Sequence, residues 1–154
     1  MRERELLGSA GTILANRDWV KGEKSFWVLY ADVLTNMDLG RMLASRSRAI
    51  AIGVHPIKGD PRQCGVVEFG DDLVVHSFEE KPADPRGNWA FAGVMVATPE
   101  VLESIPQQVP ADLGFDVLPK LVGRMSAYPI TEFIADIGTM ESYQAAQDAW
   151  PGVK

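Results

Sequence analysis

Cysteine and long apolar runs are scarce in this sequence. Cys64 is the single cysteine in 154 residues, so no disulfide can form within one chain. This composition suits a reducing compartment, and we expect a cytoplasmic protein. Met1 to Glu5 are mostly charged and lack the apolar segment of a secretory leader, and no apolar run approaches the length that crosses a bilayer. Neither secretion nor a membrane partner is therefore expected.

Positive charge is scarce as well. The sequence holds 15 Lys and Arg residues against 21 Asp and Glu residues, which gives a formal net charge of -6. Proteins that follow nucleic-acid phosphates are usually basic, so nucleic acid is not expected as a partner. Internal repeats, low-complexity tracts and linker-like stretches are also missing, and the length suits one domain. We expect residues 1–154 to form a single domain.

The most prominent positive feature is a continuous apolar and aromatic run from Phe26 to Ala31. Runs without alternation are typical of strands that are buried on both faces of a sheet. A helix-like segment from Met37 to Arg46 follows, with Asp38 as its expected N-cap, and Ala49 to Val54 forms a second apolar run. Strand, helix and strand in this order predict a βαβ unit with a parallel strand pair and a right-handed crossover. The pattern therefore predicts an α/β fold.

Two carboxylates follow apolar runs in the same way. Asp32 ends the run from Phe26 to Ala31, and Asp136 ends the run from Phe133 to Ala135. Ligands of open α/β sheets bind outside the carboxyl ends of the strands, so we expect the two carboxylates to lie close together at that edge. The alternative for Asp32 alone is a residue that turns the chain toward the next helix.

Two further segments allow a functional or a structural interpretation. Gly8 to Thr12 combines two glycines with small residues, so its backbone could approach a flat ligand at a helix start. A plain glycine turn before a short helix is the simpler interpretation. A hairpin is predicted around Gly70 to Asp72, and its second strand ends at Glu80 and Lys81, before Pro82. This acid–base pair could bind a sugar hydroxyl and a phosphate, or it could be a solvated charge pair.

Seven short motifs occur in order along nearly the whole chain. They are Leu7 to Thr12, Val28 to Leu34, Cys64 to Val67, Phe78 to Pro82, Ala92 to Val94, Asp116 to Pro119 and Asp136 to Tyr143. In this order and spacing they resemble the sugar-1-phosphate nucleotidyltransferases, the family of GDP-mannose and dTDP-glucose pyrophosphorylases, and most of all the mannose-1-phosphate guanylyltransferase branch. The resemblance implies a three-layer Rossmann-like mixed sheet with helices on both faces, the nucleotide-diphospho-sugar transferase fold, truncated at its N-terminus.

The resemblance also implies roles for individual residues. The following residues match the loop that lies against the nucleobase: Gly8, Ser9, Ala10, Gly11 and Thr12. Asp32 and Asp136 match the carboxylates that hold Mg²⁺ on the nucleotide phosphates, and hard oxygen ligands suit that ion. Glu80 and Lys81 match the contacts to the sugar and its phosphate, and Gly93 lies in a pair that contacts the sugar. Lys81 would act in catalysis by offsetting negative charge as a sugar phosphate attacks an α-phosphorus. The implied partners are a nucleotide-sugar or a sugar 1-phosphate.

The chain also departs from the pattern of the family it resembles. Members begin with a glycine-rich strand-to-helix loop whose Arg and Lys clamp the triphosphate, and the residues before Gly8 are too few to form it. A sugar-contacting Asn is here Phe91, an Asn-Gly pair is Tyr30-Ala31, and a Trp is Ile134. Three interpretations follow: an enzyme whose loop is supplied elsewhere and that is not active alone, a non-catalytic nucleotide-sugar-binding or regulatory module, or a decayed fragment.

The missing first strand predicts an open sheet edge. In the family that the chain resembles, the first strand pairs along one side of the strand that matches Phe26 to Ala31. This sequence has no counterpart of that first strand. An unguarded apolar edge favours association, so we expect a homodimer whose interface includes this strand and the N-terminal helix. The alternative is that Arg2 to Val20 folds back over the edge within one chain.

Overall fold

The computed structural model describes residues 5–152. Within that range the α-helices are Gly8–Ala15 (α1), Arg17–Val20 (α2), Leu39–Ser45 (α3) and Met140–Ala149 (α4). The strands are Phe26–Leu29 (β1), Val33–Thr35 (β2), Ile50–Pro56 (β3), Gly65–Phe69 (β4), Val75–Glu80 (β5), Trp89–Ala97 (β6), Met125–Pro129 (β7) and Ile134–Asp136 (β8). Short helical segments span Pro61–Gln63, Pro99–Ser104, Leu113–Val117 and Leu118–Leu121. No helix of residues 5–152 is long and apolar enough to span a membrane.

Two of the expectations above concern residues that lie partly outside this range. The charged start from Met1 to Glu5 is described only at Glu5. The segment from Arg2 to Val20 is described from Glu5 onward, so its folding over the edge is tested only from there.

The main sheet is mixed and is built around β6. Its strand order is β5-β4-β6-β3-β7, and β1 pairs with β6 beside β4. Strand β6 is antiparallel to β1, β3 and β4, whereas β3 and β7 are parallel. Strands β2 and β8 form a separate antiparallel pair. The mixed α/β sheet is as predicted.

The predicted βαβ unit is wrong in one respect. Strands β1 and β3 run in the same direction but are not neighbours, because residues 94–97 of β6 lie between them. Strand β6 is buried along almost its whole length, whereas β1 is only half-buried and its Leu29 is 51% exposed. The predicted burial of this apolar run on both faces is therefore wrong, since a short apolar run does not reveal which strand is covered on both faces.

Helices cover both faces of the sheet. Ile50, Ile52 and Val54 of β3 belong to one buried cluster, together with Ala10 of α1. Ala51, the intervening residue, belongs to a second cluster with Met42 of α3. Successive strand residues point to opposite faces, so this alternation places one helical layer on each side. The layered arrangement agrees with the predicted fold.

Several local features follow from the sequence as expected. The carboxylate of Asp38 accepts a hydrogen bond from the Arg41 N–H and caps α3, as predicted. At α4, Thr139 and Ser142 form a capping box, a local pattern of the same kind. Strands β4 and β5 form the predicted hairpin. Such side-chain caps and turns are set by residues only a few positions apart, which is why the local pattern suffices to predict them.

Strand β1 lies at an edge of the main sheet. Among the described residues it pairs with β6 alone, so its other side has no strand partner. The predicted open edge is therefore present in the part of the chain that is described. The homodimer that it suggests stays a prediction.

Candidate functional site

A cavity of about 760 Å³ opens beside the carboxyl ends of β1 and β3. The β3–β4 loop, the first half of β6 and helix α4 form its walls. Five residues that the sequence singled out line it: Asp32, Glu80, Lys81, Gly93 and Asp136. The sheet edge predicted to carry chemistry is therefore the edge at which the cavity lies.

Asp32 and Asp136 lie side by side in this cavity. Strands β2 and β8 pair Val33 with Asp136, and the Ile137 N–H donates to the Asp32 carbonyl at 2.7 Å. A Cβ placed on Gly138 would lie 3.1 Å from Asp136 Oδ1 and 3.2 Å from Asp32 Oδ2. The two carboxylates thus converge on one point, as expected from the sequence.

The chemistry of this pair fits a Mg²⁺ ion that shares its shell with phosphate. Both donors are carboxylates, and Gly138 leaves the space between them free of a side chain. Among the described residues, no group of three or more His, Cys, Asp and Glu side chains is placed to enclose a metal. Mg²⁺ is commonly held by one or two carboxylates together with substrate phosphates and water, so two are enough.

Glu80 is wedged between two glycines. A Cβ on Gly65 would lie 2.7 Å from Glu80 Oε2, and a Cβ on Gly114 would collide with the same carboxylate. Burial, and then the nearby charge of Asp112, raise the pKa of Glu80, whereas the charge of Lys81 opposes this rise. Glu80 is thus a partly desolvated acceptor that the backbone holds in place.

Lys81 has a strained backbone. Its φ is 48°, in the left-handed region that residues with a side chain rarely adopt, and its N–H donates to the Cys64 carbonyl at 3.0 Å. Such strain persists where the surrounding structure fixes it, and it is concentrated at functional sites. The turn at Lys81 brings its side chain to the cavity beside that of Glu80.

Gly93 positions the chain that carries Asp32. Its φ is +68°, and a Cβ there would lie 2.9 Å from Val33 Cγ2 and 3.1 Å from the side chain of Tyr30. The Tyr30 N–H donates to the Gly93 carbonyl at 2.9 Å. Only a glycine at position 93 leaves room for the turn from Tyr30 to Val33 to pack against β6. This turn contains Asp32 and so sets its position.

The segment from Gly8 to Thr12 does not line the cavity. It forms most of α1, and the N–H groups of Ala10 and Gly11 both donate to the Ala111 carbonyl, at 2.9 and 3.1 Å. The segment is therefore part of a helix, and not the glycine turn before a short helix that the simpler interpretation predicted. The predicted contact of this segment with a nucleobase stays a prediction.

Ser9 links α1 to the cavity through Asp112, which the sequence analysis did not single out. The Ser9 hydroxyl donates to Asp112 Oδ2 at 2.8 Å, and Asp112 Oδ1 accepts from the N–H groups of Gly114 and Phe115 at 2.8 and 3.0 Å. An Asp whose carboxylate accepts from the N–H groups two and three residues later forms an N-cap. The position of Asp112 just before a helical segment was therefore a feature of the sequence from which this role could have been predicted.

The sequence analysis noted Tyr30 only because it differs from the pattern of the family. In the structure, Tyr30 lies near Ser9, Asp112, Glu80 and Asp32. Burial and the charge of Asp112 raise its pKa to about 12, with smaller contributions from Glu80 and Asp32, and a hydrogen bond with Ser9 partly opposes them. Tyr30 is therefore a neutral hydroxyl near pH 7. Its ring also packs edge to face on Phe91 at 5.8 Å between centroids.

A family model and two curated relatives match this chain over most of its length. The family model described as "Nucleotidyl transferase" matches residues 1–151. The chain is 31% identical over 150 residues to a glucose-1-phosphate adenylyltransferase of Bacillus licheniformis, a match that covers 88% of this chain and 40% of the relative. The corresponding protein of Clostridioides difficile is 30% identical over 152 residues, with 88% and 39% covered. The chain thus spans about two fifths of the length of these curated relatives.

Two solved structures share the fold. HddC from Yersinia pseudotuberculosis, complexed with GMP-PN, superposes with a TM-score of 0.76 at 22% identity over 97% of this chain and 65% of that one. A putative glucose-1-phosphate thymidylyltransferase from Bacillus anthracis, in complex with a sucrose, has a TM-score of 0.78 at 19% identity, with 99% and 65% covered.

Proposed function

The chain belongs to the nucleotidyl transferase family, and on this premise we propose that it binds a sugar 1-phosphate or nucleotide-sugar in the cavity at the end of β1. The observation that carries the proposal is the convergence of Asp32, Asp136, Glu80 and Lys81 on one cavity. These residues come from distant parts of the sequence, and together they offer ligands for a metal, a hydroxyl group and a phosphate.

Each charged group has a distinct task in this proposal. Glu80 accepts hydrogen bonds from the sugar hydroxyls, since its carboxylate is held firmly and is partly desolvated. Lys81 neutralises the phosphate of the sugar and, in transfer, the charge that develops on the attacked phosphorus. Asp32 and Asp136 would hold Mg²⁺, which supplies charge stabilisation on the nucleotide phosphates when bound.

We propose that transfer requires a triphosphate-binding loop that the printed sequence does not contain. In-line phosphoryl chemistry depends on positioning and charge stabilisation, so a site that holds only the sugar phosphate and the metal cannot complete the reaction alone. The proposed reaction of the whole site is sugar 1-phosphate plus nucleoside triphosphate to nucleotide-sugar and pyrophosphate. A non-catalytic nucleotide-sugar-binding or regulatory role is the second candidate.

The nucleotide and the sugar are the finer part of the proposal. The motif pattern favours mannose 1-phosphate and a guanine nucleotide, whereas relatives named above are glucose-1-phosphate adenylyltransferases. A binding panel should therefore pair mannose and glucose 1-phosphate with GDP- and ADP-sugars.

Calorimetric titration tests the binding proposal. We expect one sugar 1-phosphate or nucleotide-sugar of the panel to bind, and Lys81→Gln to weaken it by roughly ten- to hundredfold, because a hydrogen bond to a charged group contributes about 1.5–3 kcal/mol. Lys120→Gln is the matched control, since Lys120 is exposed and does not line the cavity. A Lys81→Gln variant that binds like the control would refute the role of Lys81, and a panel without any binding would refute the function.

A further inference from the structure

We propose that the cavity selects a sugar 1-phosphate that carries a hydrogen or a methyl group, in place of a hydroxyl, on the edge that faces Phe91 and Phe115. This inference rests on the proposed function, because it specifies the sugar that the same cavity takes.

Aromatic side chains flank the only acid assigned to the sugar. Phe78 Cζ and Glu80 Oε2 lie 2.9 and 2.7 Å from the same point, the Cβ position of Gly65. The Phe78 ring packs on Phe91 at 6.0 Å between centroids. On the other side, Gly114 touches the Glu80 carboxylate and is followed by Phe115, which lines the cavity and is 57% exposed.

Two of the polar side chains near Glu80, those of Asp112 and Cys64, are already engaged within the chain. Both oxygens of Asp112 accept hydrogen bonds from within the chain. The Cys64 thiol donates to the Pro61 carbonyl at 3.5 Å. In the described range, Glu80 is thus the one group of this set whose side chain makes no hydrogen bond within the protein.

One carboxylate can accept from two neighbouring hydroxyls of a sugar ring. A further hydroxyl that turned toward Phe91 or Phe115 would leave water without a new partner, which is unfavourable. Hydrogen or methyl substituents have no such requirement and pack well on aromatic rings. The arrangement therefore favours a sugar with two hydroxyls toward Glu80 and an apolar edge toward the two phenylalanines.

The experiment compares glucose 1-phosphate with its monodeoxy analogues by calorimetry on the 154-residue chain. We expect at least one analogue to bind about three- to tenfold more tightly than the parent, a range consistent with the limited discrimination of apolar pockets. Phe91→Asn should remove or reverse this preference, because its amide offers the hydroxyl a partner, whereas Phe91→Leu should keep it.

Because Phe91 packs on Tyr30 and Phe78, its replacement could also disturb the fold. Phe115→Asn therefore provides a second variant, at an exposed position. It should also reduce the preference for the deoxy analogue. Parent and analogues that bind equally, or analogues that all bind more weakly, would overturn the inference. Failure of every sugar phosphate to bind would instead overturn the proposed function, so the two failures are distinguishable.

Discussion

At the level of single residues, the cavity depends on glycines that leave room for charged side chains. Gly65 and Gly114 flank the carboxylate of Glu80, and Gly138 lies between Asp32 and Asp136. Side chains at these positions would occupy the space where the acids lie or where a ligand would meet them. The glycines therefore shape the site although none of them bears a reactive group.

Replacing Gly114 with Ala should disturb Glu80. The added Cβ would meet the carboxylate of Glu80 at a distance that cannot be tolerated, so the side chain must move. We expect at least a tenfold loss of sugar phosphate affinity and about 1–3 kcal/mol of destabilisation, the range of overpacked positions. Calorimetry and urea denaturation measure both effects.

Gly22→Ala is the control for this variant, because a Cβ on Gly22 would meet nothing within 4 Å. It should leave both quantities within error. A Gly114→Ala variant whose affinity matches that of Gly22→Ala would contradict the proposed position of Glu80 in the site.

The raised pKa of Glu80 predicts a pH dependence of stability. Burial and Asp112 raise this pKa above the ordinary value of 4.5, so the folded state binds a proton more readily than the unfolded state. The ionised carboxylate therefore destabilises the fold at neutral pH, and this penalty is lost as the pH falls through the raised pKa to below 4.5.

Glu80→Gln should accordingly be more stable than the parent chain near pH 7, and the difference should shrink as the pH falls through this window. Urea denaturation at several pH values checks it. Glu79→Gln, at the exposed neighbouring position, is the control variant. A constant difference across the pH range would show that Glu80 is not responsible.

At the level of elements, β1 is the least protected part of the sheet. It pairs with β6 alone among the described strands, and Trp19 and Leu29 nearby in sequence are 71% and 51% exposed. Edge strands without charges, bulges or proline tend to pair with other chains. Such an edge gives the chain a reason to associate.

We predict a homodimer through Phe26 to Ala31 and helix α1. Leu29→Lys should dissociate or precipitate it, because burying an unpaired charge costs several kcal/mol. Light scattering over a range of concentrations measures the mass. Leu43→Lys, on α3 at 40% exposure, is the matched control and should leave the dimer intact. A clean monomer at high concentration would favour the alternative in which the N-terminal segment covers the edge.

At the level of the whole molecule, Asp32, Asp136, Glu80 and Lys81 line one cavity, and the proposed function assigns them to a metal and a sugar phosphate. Family membership and the shared fold account for the layered sheet beside which this cavity lies. In the proposed function, binding of a sugar phosphate and phosphoryl transfer are separable properties, and the triphosphate-binding loop is needed only for transfer.

The 154-residue chain alone should release no pyrophosphate at an enzyme-like rate from a sugar 1-phosphate, Mg²⁺ and any nucleoside triphosphate. Charge-stabilising groups typically contribute about 3–4 kcal/mol each to a transition state, so losing the triphosphate clamp removes most of the acceleration. A coupled pyrophosphate assay checks this, with a full-length pyrophosphorylase as positive control. Turnover at several per second would refute the prediction.

The sequence alone determined the features that depend on near neighbours. The cap of α3 by Asp38, the capping box at Thr139 and the hairpin of β4 and β5 follow from residues a few positions apart. The order of motifs was also enough to identify the family and the layered α/β sheet, because both are spread along the whole chain.

Only the tertiary structure decided which strand is central and which groups surround Glu80. Strand β6 lies between β1 and β3, because strand order depends on pairing between elements that are far apart in the sequence. Asp112, Gly65 and Gly114 meet Glu80 through contacts between distant segments, and no short-range pattern encodes such contacts. Local sequence therefore specifies caps and turns, whereas the charge and shape of the cavity arise when remote segments pack together.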